Sequence, residues 1–193
     1  MRVRALAGAE ITRQLGALAR LRITVFAAYP YLYDGDAEYE AWYLREFAQS
    51  PGAVVLAAFD GDEVVGAATA SPMAGQKAEF SAPLARAGVD VERLFYFGES
   101  VLLPAWRGRG LGHAFFDGRE KAARDQGFGL AGFYAVIRPD DHPARPADYH
   151  PLDGFWTRRG YAGLAGAVAE FPWKEKGMAG ETAHPMQFWM RAL

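Results

Sequence analysis

Arg107, Gly108, Arg109, Gly110, Leu111 and Gly112 form the stretch of this 193-residue chain with the clearest capacity for chemistry. Three glycines let several backbone N–H groups aim at one point, and two arginines can fork around phosphate oxygens. The residues that follow, Leu111, Ala114, Phe115, Gly118 and Ala122, fall at helical spacing. The positive end of a helix dipole therefore stands behind the turn, and the loop reads as a seat for a phosphate or pyrophosphate. Just before it, Arg93 to Leu103 reads as a strand whose one acid is Glu99. By strict alternation Glu99 shares a face with Phe97 and Val101, where flanking aromatics would suit a general base. Gly98 beside it permits a bulge or the close approach of a ligand. The competing reading of Glu99 is a structural pairing with an arginine.

Further chemical candidates lie in two loops. Tyr29, Tyr31 and Tyr33 crowd a stretch punctuated by Pro30 and Asp34-Gly35, which predicts a loop over 25–36. Tyrosines there either pack down as a lid or line a substrate site, since each offers an apolar ring and a hydroxyl. Arg138 to Pro151 carries four prolines and reads as a long loop that includes Tyr149. Its His142 and His150 stand near aspartates, but no helical His-x-x-x-His exists, so no metal site is expected.

The elements that must position these groups follow from pattern. A short strand is expected over 1–6, helices over 10–22 and 38–49, and a hairpin of strands 53–59 and 63–71 around Asp60-Gly61-Asp62. A short helix is expected near 77–87, then the strand 93–103, the loop helix and a strand at 130–137. Strand–helix–strand implies a parallel pair with a right-handed crossover. A short helix from Asp153 precedes a closing pair, 164–173 and 184–190, with Met186, Phe188 and Met190 on one side. The chain reads as α/β, a mixed sheet flanked by helices, in one domain over 1–193. Half its residues are apolar, its formal charge is −2 and it has no cysteine. These values argue against a nucleic-acid surface and exclude disulfides and thiolate zinc sites. No leader or membrane-length apolar run is evident, so a cytoplasmic protein without a membrane partner is expected. The apolar final strand offers a surface for a homodimer.

The dinucleotide fingerprint fails because His113 stands where its third glycine belongs, and no Gly-Lys-Ser/Thr follows the loop. A nicotinamide oxidoreductase is therefore disfavoured. Arg107-Gly108-Arg109-Gly110-Leu111-Gly112, led in by Leu102-Leu103-Pro104, instead resembles the Arg/Gln-x-x-Gly-x-Gly/Ala signature of the GNAT N-acetyltransferase superfamily. Phe155-Trp156-Thr157-Arg158-Arg159-Gly160-Tyr161 is similar to its late Phe-Tyr-x-x-x-Gly-Phe segment. Element order extends the resemblance to nearly the whole chain.

The resemblance implies a strongly twisted sheet and acetyl-coenzyme A as co-substrate, in a cleft between the strand ending at Leu103 and that starting near Leu130. It implies that backbone groups of Leu102 and Leu103 pair with the pantetheine arm. It also implies that the amides from Arg107 through Gly108, Arg109, Gly110, Leu111 and Gly112 hold the pyrophosphate. The activity implied is direct acetyl transfer to an amine, on a small molecule or on a protein or peptide. The acceptor pocket is expected from the Tyr29–Asp34 loop, with Tyr31 and Tyr33, and from the proline-rich loop at Arg138–Pro151, whose aromatics and carboxylates suit a small cationic or aromatic amine. Such transfer needs a base, taken to be Glu99, and an N–H near Leu102 to polarise the thioester carbonyl. It also gains from an acid for the leaving thiolate. The family's usual tyrosine is Trp156 here, and indole cannot supply that proton. Tyr149 is the leading candidate, with Tyr134 and Tyr161 behind it. The vacancy leaves a non-catalytic acyl-coenzyme A binding module as the alternative.

Overall fold

The computed structural model describes residues 2–193, and its seven strands join one sheet in the order β1-β2-β3-β4-β5-β7-β6. In chain order the elements begin with β1 (Arg2–Leu6), α1 (Ala9–Phe26), α2 (Ala37–Gln49), β2 (Val54–Asp60), β3 (Glu63–Pro72) and α3 (Ala78–Arg86). There follow β4 (Leu94–Leu102), α4 (Leu111–Asp125), β5 (Leu130–Val136), α5 (Asp153–Arg158), β6 (Ala162–Lys174) and β7 (Glu181–Ala192). The expected order and the single parallel pair, β4 with β5 across α4, are both present. Of the first expected strand, Met1 lies outside the described residues.

Apolar stripes fix the layers. Leu15, Leu18 and Leu21 of α1 meet Leu44 and Phe47 of α2 against Val55, Ala57 and Val101 on one face of the sheet. Phe115 and Phe116 of α4 pack on the other face, against Leu56 and Ala68 and against Phe95, Phe97 and Phe133. Met186, Phe188 and Met190 of β7 do share one side, packed with Tyr96 and Tyr134.

One expectation about the elements needs correction. α1 runs on through Val25 and Phe26, which were expected in a loop. Both side chains pack against the α1–α2 core, and that burial outweighs the low helix propensity of Ile23, Thr24 and Val25. The final strand cannot offer an edge to a second copy, because β7 lies between β5 and β6 and is paired on both sides.

The parallel pair is short: only Leu94, Phe95 and Tyr96 of β4 match Leu130, Ala131 and Gly132 of β5. Gly132 sits under this junction and between two strands. A Cβ there would lie 2.7 Å from Trp189 O and would also strike the Phe188 ring. Gly132→Ala is expected to cost about 1–3 kcal/mol through overpacking, read as a lower urea midpoint with an unchanged m-value.

Beyond Tyr96 the strands part, and β4 carries a bulge. Phe97 pairs Ala70 and Ser100 pairs Ala68, so Gly98 and Glu99 together oppose Thr69. The extra residue shifts the alternation. Phe97 points to the α4 face, while Val101 packs with α1 and α2. Glu99 therefore does not share a face with Phe97 as strict alternation predicts; it shares one with Val101. Gly98 is required here, since a Cβ would stand 2.6 Å from Thr69 Oγ1.

Candidate active site

Where β4 leaves β5, two ends of the site come into view. At the α4 end, Gly108 and Gly110 adopt φ of 74° and 80°. A Cβ added to either would meet nothing within 4 Å, so glycine is needed for the backbone conformation and open space stands in front of it. Gly110 caps α4 in the left-handed region, and the first turn bond is Ala114 N–H to Gly110 O at 3.1 Å. The amides of Leu111, Gly112 and His113 precede that bond and point out of the helix end. The Leu111 side chain is buried as an anchor, so only its amide serves the loop. Arg107 and Arg109 are exposed, with Arg107 Nε donating to Leu102 O at 3.3 Å.

The strand end distinguishes two neighbours that look alike in sequence. Leu103 N–H donates to Val65 O at 3.0 Å, and Leu103 O accepts from Trp106 N–H at 3.0 Å. Both backbone groups of Leu103 are committed, so the expected pairing of Leu103 with a pantetheine arm is not available. By the register Gly66↔Leu102, the N–H and C=O of Leu102 turn to the opposite edge, which no strand covers, and the C=O there meets only the Nε of the exposed Arg107. Free amides at a helix end, two arginines and an open strand edge in one line fit a long molecule with a pyrophosphate and an amide-bearing arm.

The second end is charged and nearly dry. Glu99 meets Arg22 of α1, whose Nη1 lies 2.5 Å from Glu99 Oε1. That contact is off-line, a Coulombic pair more than a directed hydrogen bond. Arg22 Nε also binds Glu40 of α2, and the guanidinium lies 4.7 Å from the Tyr43 ring centroid. Burial opposes the charge on Arg22, but Glu99, Tyr43 and Glu40 outweigh it and hold the group above its ordinary range. Two carboxylates thus share one guanidinium beside the parted strands. The arginine pairing weighed for Glu99 is thus present, within a triad that the sequence reading did not contain.

Tyrosines surround the triad. The Tyr31 hydroxyl is pushed up to about 12 by burial, with Tyr149 and Glu99 adding to the effect. Burial also raises Tyr33, with Glu40 as the next cause. Tyr149 is half-buried and raised by burial; its ring meets Tyr29 edge-on at 4.7 Å. His142 lies 5.6 Å from Tyr29 as well, so the proline-rich loop and the tyrosine loop form one wall. Arg138 ties that wall together, donating to Pro30 O at 2.7 Å, to Tyr31 O at 3.2 Å and to Glu175 beyond β6. Tyr29–Pro30 is a cis peptide.

The remaining acid candidates lie elsewhere. Tyr134 donates to Phe80 O at 2.7 Å and Tyr161 to Glu120 at 3.0 Å, so both hydroxyls are engaged in the core. Trp156 packs between Phe133 and Trp189 at 5.1 and 5.2 Å. Among the described residues no cluster of three or more His, Cys, Asp or Glu could hold a metal. Nor is any described helix long and apolar enough to cross a membrane.

Arg22 and Glu40 were missing from the sequence reading, yet they leave a signal there. Arg22 falls four residues from Leu18 and from Phe26, and Glu40 four before Leu44. Each is a charge placed where the helical stripe calls for an apolar residue.

Open amides at a helix end beside a parted parallel pair, with a buried carboxylate at the parting, suit an enzyme that handles a phosphate-bearing donor. The Acetyltransferase (GNAT) family profile matches residues 19–161, and the chain belongs to that family. It is an N-acetyltransferase, using acetyl-coenzyme A as co-substrate and an amine as acceptor. Among solved structures it is similar to an aminoglycoside 6'-N-acetyltransferase complexed with coenzyme A, with TM-score 0.64, 17% identity and coverage of 100% of this chain and 97% of that one. The ribosomal-protein-alanine N-acetyltransferase from Brucella melitensis gives TM-score 0.61, 13% identity and full coverage of both chains. The aminoglycoside 6'-N-acetyltransferase from Enterococcus faecium gives 0.61 and 16%, covering 100% of this chain and 97% of that one. A search of curated proteins finds no match.

Proposed function

We propose that residues 1–193 act as one cytoplasmic acetyltransferase domain whose acceptor is a cationic amine, with Glu99 as base and Tyr149 as acid. The observation that carries this reading is the Glu40–Arg22–Glu99 triad, two buried carboxylates sharing one guanidinium, at the point where β4 parts from β5. An ammonium arriving there meets the Glu99 carboxylate, which accepts its proton to leave the neutral nucleophile. Acetyl-coenzyme A, when bound, supplies an activated acetyl thioester. The amides of Gly108 to Gly112, with Arg107 and Arg109, hold phosphate oxygens. Leu102 N–H, on the free strand edge, donates to an oxygen that gains negative charge. The Tyr149 hydroxyl, kept neutral by its burial, is the proton donor at the other side of the reaction. Tyr31 and Tyr33 line the acceptor's approach, where Arg138 fixes their loop.

The test is calorimetric titration with acetyl-coenzyme A. Arg107→Ala/Arg109→Ala is expected to weaken binding by about 2–4 kcal/mol, on the order of 30- to 1,000-fold, for two charge-assisted phosphate contacts. Amine-dependent release of free thiol then identifies the acceptor. Wild-type protein that binds no acetyl-coenzyme A refutes this reading.

A further inference from the structure

The interior of α4 holds a cation that neither the phosphate seat nor the acid–base pair uses. Arg119 is 1% exposed. The carboxylates nearest to it are engaged by other arginines, Glu99 by Arg22 and Glu120 by Arg159 and Arg191. Its own donors go to uncharged oxygens at the bulge. Nη1 reaches Glu99 O at 3.1 Å and Thr69 O at 3.4 Å, and Nη2 reaches Ser100 Oγ at 2.8 Å, while Nε donates to Phe115 O at 3.3 Å. Phe97 and Phe116 present ring faces at 4.4 and 4.9 Å.

A bulge interrupts the regular repeat of a sheet ladder, and a donor that reaches both strands can pin it. Thr69 O and Glu99 O stand on the two strands of this bulge. A planar fork can serve both at once and reach Ser100 as well; an apolar side chain would fill the same space and serve none. Burial lowers the pKa of Arg119 to about 10, so it stays charged at neutral pH and carries the desolvation cost of that state. A core that needed only volume here would be served at least as well by an aliphatic residue.

We infer that Arg119 is a positioning residue for acetyl transfer: it clamps the Thr69/Gly98–Glu99 bulge to α4 and so sets where Glu99 and the free edge of Leu102 point. The inference rests on the acetyltransferase reading of this site for its consequence, but not for its geometry. Because α4 also bears the phosphate-binding amides at Leu111–His113, one helix registers both halves of the site.

The experiment compares wild type, Arg119→Met and Arg119→Lys by amide exchange at Glu99, coenzyme A affinity and amine-dependent thiol release. Glu99 N–H donates to Thr69 Oγ1 at 3.2 Å, so its exchange reports the bulge directly. In Arg119→Met that amide is expected to exchange at least about tenfold faster while amides of β1 and β2 keep their protection. Turnover falls about 100-fold, as for a reacting group displaced by about 1 Å, and coenzyme A affinity stays within about threefold. Arg119→Lys, with one ammonium in place of a fork, recovers part of both. Unchanged exchange at Glu99 in Arg119→Met overturns the inference. So does a fall in turnover that merely tracks loss of folded protein or of coenzyme A binding. The exchange readout needs no acceptor, so wild-type protein that transfers no acetyl group overturns the functional reading separately.

Discussion

Arg22→Met is expected to destabilise the protein by about 3–5 kcal/mol at neutral pH, the cost of leaving buried charges without their partner. The side chains of Arg22, Glu40 and Glu99 are 12%, 1% and 8% exposed, so water cannot replace the guanidinium. Methionine keeps the packing against Phe26 and Tyr43 and removes only the charge. Urea unfolding checks the value. Adding Glu40→Gln to Arg22→Met should restore more than half of the loss, because one of the two stranded carboxylates is then neutral. A loss below about 1 kcal/mol for the single variant would mean that the triad is as weakly coupled as a surface pair.

Glu99→Gln is expected to lower turnover by about 10²–10⁴-fold, the usual contribution of a positioned base. Affinity for acetyl-coenzyme A should not change, since the phosphate seat lies at the far end of the cleft. The fold should also hold, because Arg22 keeps Glu40 as its partner. The amide preserves shape and removes only the capacity to take a proton. Calorimetry for the donor and thiol release for the reaction give the two readings independently. Turnover within about threefold of wild type assigns Glu99 to a purely structural pairing and moves the base to another group.

The conformation of the glycine loop was legible in the sequence because its cause is local. Positive φ at Gly108 and Gly110 and the periodicity of α4 are written into consecutive residues. The order of strands and helices was legible for the same reason. The orientation of Glu99 was not, because a bulge belongs to a pair of strands, and only the partner Thr69 reveals that Gly98 and Glu99 share one position. The difference between Leu102 and Leu103 has the same origin: ladder parity, fixed by Val65, decides which backbone faces the cleft. The order of strands within the sheet also escaped, and with it the interior position of β7 between β5 and β6. Arg22, Glu40 and Arg119 sit inside apolar stripes, and a charge in a stripe is a visible irregularity. Its partner is not visible, since it lies on another element.

Arg138 has a consequence for how this enzyme can change its acceptor. The donor half is built into the sheet and α4, whose side chains interlock with the core. The wall proposed for the acceptor is assembled from loops around one guanidinium just past β5, which holds Pro30 O, Tyr31 O and Glu175. Arg138 acts as a fixed socket into which different loops can be fitted, provided they bring a carbonyl or carboxylate to meet it. Residues 139–151 and the tip of the tyrosine loop can thus diversify while the donor half stays as it is. Acceptor choice becomes an exchangeable attachment on a fixed engine, and loop grafting is the natural route to redirect it.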